Sequence, residues 1–187
     1  MPISFDLENI RQKYDCKYFF ETGLYEGRGS ETALKCDFDK NFCLEIREDL
    51  VERGRNKFQK EIDNGRYTLY LDDSCNLKKY VVNNDFKENR AIFFLDAHVD
   101  NSNINHYKHK CPLFDELEAI SCIGRNDNIL LIDDLRIITK AFPWGESSYG
   151  DIDFLSSIKK KILSINPDYK FDTLNGHIKN DVLIAYV

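Results

Sequence analysis

Apolar runs of strand length alternate with segments of helical period along the whole 187-residue chain. Continuous apolar runs of this kind are typical of parallel strands buried on both faces by helices. Five runs are predicted as strands, each followed by a helical segment. The predicted strands are 17–22, 41–46, 67–72, 91–96 and 128–133, and the helical segments are 30–35, 48–62, 74–82, 112–122 and 150–165. Ser30 and Ser74 are candidate N-cap residues, and Pro112 is a candidate first-turn proline.

The end of the chain predicts a hairpin. Residues 169–174 and 182–187 are both strand-like, and Asn175-Gly176 directly follows the first of them. Because Asn-Gly favours a tight connection between antiparallel strands, the last strand is predicted to run against its neighbours. The chain should therefore form one α/β domain with seven strands.

Composition limits the classes of protein to consider. No stretch rich in Pro, Gly or Ser divides residues 1–187, so a single domain is expected. A net charge of −6 would repel a phosphate backbone, which disfavours nucleic acid as a partner. No apolar run approaches the roughly 20 residues that cross a bilayer, and the N-terminus lacks a signal-peptide core. A cytoplasmic protein without a membrane partner is expected, and its oligomeric state stays open.

The six cysteines are predicted to be reduced and structural. None has Cys-x-x-Cys spacing, and Cys16 and Cys43 lie in strand-like apolar runs, where a thiol behaves as a small hydrophobe. Free cysteines agree with an intracellular compartment.

The first predicted strand breaks into a glycine-rich turn that precedes a helix. This run reads Phe19-Phe-Glu-Thr-Gly-Leu-Tyr-Glu-Gly-Arg-Gly-Ser30. Glycines allow the backbone to approach a ligand closely, and the helix start offers free N–H groups. Glu45 ends the next predicted strand, where a carboxylate can accept hydrogen bonds from both hydroxyls of a ribose. Together these features predict an adenosine-type cofactor pocket.

Two polar segments follow strand ends, where ligands bind in open α/β sheets. Residues 99–110 contain His106 and His109, and residues 140–149 contain Trp144, the only tryptophan. Each segment is either an ordinary surface loop or a lid that contacts the substrate.

The chain resembles the class I S-adenosylmethionine-dependent methyltransferases. The stretch Glu21-Thr-Gly23-x-x-x-Gly27-x-Gly29-Ser30 is similar to their first motif, Glu45 to their ribose-binding acid, and Asp73-Ser74 to their adenine-side motif. The resemblance implies a Rossmann-like three-layer sandwich with a mostly parallel seven-stranded sheet of order 3-2-1-4-5-7-6, the last strand being antiparallel. It also implies S-adenosylmethionine as the cofactor. The implied cofactor-binding residues are Glu21, Thr22, Gly23, Tyr25, Gly27, Ser30, Glu45, Ile46, Asp73, Ser74 and Asp96.

Within that family, the chain is similar to the metal-dependent O-methyltransferases that act on sugars of macrolide-type products. Their pattern places an Asp after strand four and an Asp-Asp pair after strand five, and this chain has Asp96 and Asp133-Asp134 there. The resemblance implies that these three carboxylates bind Mg²⁺ or Mn²⁺, hard ions that prefer oxygen ligands. It further implies a small-molecule or glycan hydroxyl as the methyl acceptor, with Asp96 and His98 as catalytic residues.

The chain departs from that pattern at two positions. His98 stands where such relatives have a second Asp, and Leu135 replaces an aromatic residue. His98 could act as a general base, as a metal ligand or as a capping residue. Glu116 and Glu118, on the helix after the His-containing segment, are predicted to form its solvated face.

Two other classes of function remain as alternatives. The segment Asp96-Ala-His98-Val-Asp100 is similar to the metal motif of arginase-like ureohydrolases, which would make the protein a metallohydrolase. The further ligand segments of those enzymes are missing from the sequence. The second alternative is a non-catalytic Rossmann-like binding domain.

Overall fold

A computed structural model of the chain describes residues 3–82, 85–98, 111–138 and 153–187. Seven strands form one sheet of order β3-β2-β1-β4-β5-β7-β6, which confirms the predicted order. β1 to β5 are parallel to their neighbours, and β7 is antiparallel to both β5 and β6, as predicted. The strands are β1 Tyr18–Thr22, β2 Lys40–Glu45, β3 Tyr67–Leu71, β4 Ala91–Leu95, β5 Ile129–Ile132, β6 Lys170–Leu174 and β7 Val182–Tyr186.

Each predicted helical segment contains a helix. The segment 48–62 is divided at Phe58, and two short helices, Leu7–Lys13 and Leu135–Ile138, were not predicted. The helices are α1 Leu7–Lys13, α2 Arg28–Lys35, α3 Glu48–Lys57, α4 Gln59–Asp63, a 3-10 helix Ser74–Asn76, α5 Lys78–Val81, α6 Leu113–Ser121, α7 Leu135–Ile138 and α8 Phe154–Ile165. His106, His109, Trp144 and Asp100 lie outside the described residues, so the two predicted lid segments stay predictions.

The predicted start at Glu48 is confirmed, but the positions predicted for Ser30, Ser74 and Pro112 at three other helix starts were wrong by one to three residues. Gly27 is the N-cap of α2, with φ of 72°, so Ser30 lies within the first turn. Asp73 caps the 3-10 helix by accepting a hydrogen bond from the N–H of Cys75 at 2.9 Å, in place of Ser74. Pro112 is the N-cap of α6 and precedes its first turn. Gly27 can adopt a left-handed backbone without strain, so α2 begins before Ser30, the residue that was predicted to cap it.

Apolar side chains cover both faces of the sheet. Phe20 and Phe93 belong to a core cluster that includes residues of α5, α6 and α8. Phe19 and Phe94, which point to the opposite face, belong to a cluster with residues of α1 and α2. The domain is thus a sandwich of helices, sheet and helices, and the carboxyl ends of β1 to β5 meet at one edge.

The cysteines do not form disulfides. All six are free, and Cys16 and Cys43 are fully buried, as predicted for structural thiols. Burial raises the pKa of the Cys16 thiol to about 12, which keeps it protonated and unreactive.

None of the helices in the described part of the chain combines the length and the hydropathy needed to cross a membrane.

Candidate functional site

The glycine-rich turn brings the ends of β1 and β4 into direct contact. Gly23 has φ of +85°, and a Cβ on this residue would lie 2.5 Å from the backbone oxygen of Asp96. Gly23 also donates its N–H to the oxygen of Leu44 at 2.8 Å, which ties the turn to β2. Only a residue without a side chain fits this position without strain. The turn therefore lies at the junction of three strand ends.

Glu45 holds the glycine-rich turn through its carboxylate. Oε2 accepts hydrogen bonds from the N–H groups of Leu24 at 2.9 Å and Tyr25 at 3.1 Å, and Oε1 accepts one from Arg47 N–H at 2.9 Å. Oε2 thus already accepts two hydrogen bonds, whereas Oε1 accepts one and can accept a second, so the group remains able to bind a ligand hydroxyl. Glu45 is only 6% exposed, and its orientation is set by these three donors. Sequence reasoning predicted its place in the site but missed its contacts with the turn.

Three of the predicted cofactor-binding side chains have partners inside the protein. Ser30 Oγ donates a short hydrogen bond to Glu21 and lies 2.7 Å from the hydroxyl of Tyr67. Thr22 Oγ1 accepts from the N–H of Asp96 at 3.3 Å. Glu21, Thr22 and Ser30 are all buried, so in this structure they support the turn from below. Their contact with a cofactor stays a prediction.

Glu21 is held in an environment that favours its neutral form. Burial raises its pKa to about 8, against the lowering effect of the hydrogen bond from Ser30. The folded pKa lies above the ordinary value of 4.5, so this contribution to stability is complete below pH 4.5 and is lost as the pH rises through about 8. The loss between those pH values should be roughly 4 to 5 kcal/mol of unfolding free energy in the wild-type protein, and it should be absent in Glu21→Gln. Urea unfolding at several pH values measures it.

The control for this experiment is Glu52→Gln, which removes one exposed carboxylate from α3. The wild-type protein and Glu52→Gln should both lose stability between pH 5 and 8, whereas Glu21→Gln should show a flatter curve. Parallel curves for all three proteins would contradict the assignment of a protonated Glu21.

The ends of β2 and β3 combine polar and exposed apolar side chains. Ile46 and Leu71 are exposed, and so is Tyr25, of which 65% is accessible to solvent. Exposed apolar surface beside hydrogen-bonding groups suits a purine ring. Asp73 and Ser74 border the same edge; Asp73 caps the 3-10 helix, and Ser74 is buried.

An acidic residue that the sequence analysis passed over shapes this border. Asp72 accepts hydrogen bonds from the N–H of Asp73 and from the side chains of Asn76 and Tyr80, each at 2.8 Å. It therefore holds the turn that presents Asp73.

The ends of β4 and β5 bring Asp96, His98 and Asp134 together. Their ligand atoms all lie within 4.8 Å of one another. His98 Nε2 lies 2.6 Å from Asp134 Oδ2 and 3.8 Å from Asp96 Oδ1. Burial lowers the pKa of His98, but the hydrogen bond with Asp134 and the charges of both carboxylates outweigh it and raise the pKa above its usual value. Asp134 has φ of 59°, a left-handed conformation that aspartate tolerates better than most residues.

A second acidic group shares Asp134. Asp133, Asp134 and Asp181 also have ligand atoms within 4.8 Å of one another. Burial, together with the charges of Asp96 and Asp134, raises the pKa of Asp133 to about 7. Asp181 was missed by sequence reasoning because it lies about 50 positions away, just before β7. Since β7 is antiparallel to β5, its beginning lies beside the end of β5, and Asp181 reaches the site from there.

Arg136 pairs with two carboxylates of the second acidic group and with one of the first. Its guanidinium forms short ion pairs with both Asp134 and Asp181, and its backbone N–H donates to Asp181 Oδ1 at 2.9 Å. The second group thus already contains a positive charge.

The residues present fit a divalent ion best at Asp96, His98 and Asp134, which offer two carboxylates and one imidazole. The geometry divides the predicted set of Asp96, Asp133 and Asp134 between the two groups. Asp133 as a ligand remains a prediction.

Glu116 does not lie on the solvated face of α6, contrary to the prediction. Its residue exposure is 0%, whereas the side chain of Glu118 is 61% exposed, as predicted. The spacing of Leu113, Glu116, Leu117 and Ile120 places Glu116 within the apolar stripe of the helix. That spacing was the signal available in the sequence, and the charge of the residue obscured it.

Comparisons with known proteins bear on the fold. No family model matches the chain, and no curated protein matches its sequence. An O-methyltransferase from Bacillus cereus in complex with S-adenosylhomocysteine is similar in structure, with a TM-score of 0.64, 15% identity, and coverage of 97% of this chain and 78% of that one. A Staphylococcus aureus protein assigned as a caffeoyl-CoA O-methyltransferase has a TM-score of 0.61 at 14% identity, covering 99% and 85% of the two chains.

Another enzyme class is also similar in structure. Spermidine synthase from Thermotoga maritima has a TM-score of 0.55 at 12% identity, and the match covers 91% of this chain and 53% of that one. Likenesses at these identities show the fold alone. The chain has a Rossmann-like methyltransferase fold.

Proposed function

We propose that the protein transfers the methyl group of S-adenosylmethionine to a hydroxyl oxygen of a small molecule or glycan, with a sugar as the favoured acceptor class. One observation carries the proposal. A single edge of the sheet presents both the glycine-rich turn held by Glu45 and the group formed by Asp96, His98 and Asp134. This arrangement suits a donor molecule and an acceptor that must meet within a few ångströms.

The donor would lie over the ends of β1 and β2. Glu45 would accept hydrogen bonds from the ribose hydroxyls, and the exposed Ile46 would lie against the purine. Gly23 and Gly27 leave room for the methionine part, and Asp73 and Ser74 border the adenine side. The exposed Tyr25 lies in the turn above these groups.

The acceptor would lie over the ends of β4 and β5. His98, held by Asp134 at 2.6 Å, can accept the hydroxyl proton while the oxygen attacks the methyl carbon in line with the departing sulfur. In the alternative role of His98, Asp96, His98 and Asp134 would together hold Mg²⁺ or Mn²⁺, and His98 would then be a ligand and not the base. Such an ion supplies Lewis acidity, which makes a hydroxyl more acidic.

Binding and turnover test the proposal in turn. Isothermal titration calorimetry should show that the protein binds S-adenosylmethionine and S-adenosylhomocysteine. Tritiated S-adenosylmethionine, offered with a panel of hydroxylated sugars and Mg²⁺ or Mn²⁺, should then label a sugar, and excess EDTA should abolish the labelling. Failure to bind either adenosyl compound would refute the proposal, and full activity in EDTA would refute the metal.

Glu45→Gln should raise the Kd for S-adenosylhomocysteine about tenfold, because an amide retains only one strong acceptor oxygen for the ribose and the turn. Calorimetry measures the change. Asp49→Asn, which removes an exposed carboxylate from the first turn of α3, serves as the control and should leave the Kd unchanged. An unaltered Kd in Glu45→Gln would remove Glu45 from the cofactor site.

The metallohydrolase remains a second candidate because of one observation. Asp96 and His98, two residues of the Asp-Ala-His-x-Asp motif, do lie in a group that could hold a metal ion. Tight binding of S-adenosylhomocysteine would exclude this alternative. Methyl transfer to any acceptor would also exclude a non-catalytic binding domain.

A further inference from the structure

Glu116 is a buried acid that the proposed chemistry does not use. It lies in α6 on the same face as Leu113, Leu117 and Ile120, which pack into the core. Neither of its carboxyl oxygens has a hydrogen-bond partner in the part of the chain that the structure describes. Burying a carboxylate without a partner costs several kcal/mol, so packing alone does not explain an acid at this position.

Polar groups from three strand ends surround this carboxyl group. Thr22 ends β1, Ser74 follows β3, and His98 follows β4, and all three act to lower the pKa of Glu116. The hydroxyls of Thr22 and Ser74 are near it but do not reach hydrogen-bond geometry with it. Thr22 and Ser74 are both predicted cofactor-binding residues. The carboxyl group of Glu116 therefore lies directly behind the predicted cofactor site.

The charge of Glu116 has no cation of its own. Of the titratable groups, His98, Asp73 and the thiol of Cys111 interact with it, and no lysine or arginine of the described residues is hydrogen-bonded to either oxygen. His98 is already hydrogen-bonded to Asp134 at 2.6 Å. Burial raises the pKa of Glu116 to about 7, with the two hydroxyls and His98 lowering it, so the group is mostly ionised at pH 8.5.

We propose that Glu116 is a specificity-determining residue that favours the cationic donor S-adenosylmethionine over its neutral product S-adenosylhomocysteine. This inference rests on the proposed function. When the methyl group moves to oxygen, the S–CH₃ bond breaks and its electron pair stays on sulfur, so the positive charge of the sulfonium is lost. The two compounds otherwise carry the same adenosine and amino-acid parts.

An unpaired negative charge behind the site attracts the donor and gains nothing from the product. In the protein interior such an attraction is less screened than in water. Glu116 would thus strengthen binding of the donor and favour release of the product. A residue that only supported the fold would change the binding of both compounds alike.

Calorimetry at pH 8.5 separates these roles. In Glu116→Gln, which keeps the shape and removes the charge, the Kd for S-adenosylmethionine should rise about fivefold or more, while the Kd for S-adenosylhomocysteine should change less than about twofold. Glu118→Gln removes an exposed acid from the same helix and should leave both values unchanged. Glu116→Asp keeps the charge and should keep the preference for the donor even if both Kd values rise.

The outcomes are distinguishable. If Glu116→Gln binds both compounds equally more weakly, or if Glu116→Asp loses the preference for S-adenosylmethionine, the role of the charge is overturned. If Glu116→Gln does not fold, the Glu116→Asp result alone decides. If the wild-type protein binds neither compound, the proposed function fails and the inference fails with it, whereas the two outcomes above overturn the inference alone.

Discussion

Gly23→Ala should destabilise the protein by roughly 3 kcal/mol or more and abolish binding of S-adenosylhomocysteine. The alanine would have to adopt φ of +85°, and its Cβ would lie 2.5 Å from the backbone oxygen of Asp96. Because the colliding atom is a backbone oxygen, directly after β4, a side-chain rotation cannot relieve the collision. The ends of β1 and β4 must separate, and both halves of the proposed site move with them. Thermal unfolding and calorimetry measure the two effects, and the melting temperature should fall by about 10 °C.

Gly65→Ala is the matched control. Gly65 has nearly the same backbone angle, φ of +77°, but a Cβ there would have no atom within 4 Å. This variant should show only the backbone cost of about 1 kcal/mol and should bind the ligand normally. Similar losses in the two variants would mean that backbone strain, and not the contact between strand ends, makes glycine necessary at position 23.

The second large effect concerns metal binding. Asp134→Asn should weaken binding of Mn²⁺ by about tenfold or more, because the site loses one charged ligand. Asp134 belongs to both acidic groups, and asparagine tolerates the left-handed backbone that this position requires. Calorimetric titration with Mn²⁺ measures the change without the need for a substrate.

Two further variants decide which acidic group binds the ion. Asp96 belongs only to the group with His98, and Asp181 only to the group with Asp133. Asp96→Asn should weaken Mn²⁺ binding as Asp134→Asn does, whereas Asp181→Asn should leave it nearly unchanged, because the carboxylate of Asp181 is already paired with Arg136. The reverse pattern would place the ion beside Asp133, and no binding by the wild-type protein would refute a metal site.

The sequence was sufficient to predict the strands, and the order of the strands in the sheet followed from the family resemblance. Strand runs such as Ile129–Ile132 are continuous and apolar because they are buried on both faces, so their pattern is visible without a structure. Glycine at position 23 was recognisable for a similar local reason. Short helices were not, since α1 and α7 have only 7 and 4 residues and carry little periodicity.

Contacts between distant segments could not be predicted in the same way. The approach of Asp181 to Asp134 depends on the antiparallel pairing of β7 with β5, and the pairing of Ser30 with Tyr67 joins α2 to β3. The burial of Glu116 also depends on where α6 packs, because a charged residue is normally exposed.

By itself, the sequence determined the order of strands and helices, the glycine-rich turn and the acids that end β2, β4 and β5, because each depends on neighbouring residues or on a period of apolar positions. Only the tertiary structure decided which of those acids meet. In the folded chain, Glu21, Ser30 and Glu116 are buried, and His98 lies beside Asp134. Arg136 and Asp181 also reach the site. The physical reason is that charge pairing and burial are set by atoms that the fold brings together from segments far apart in the chain.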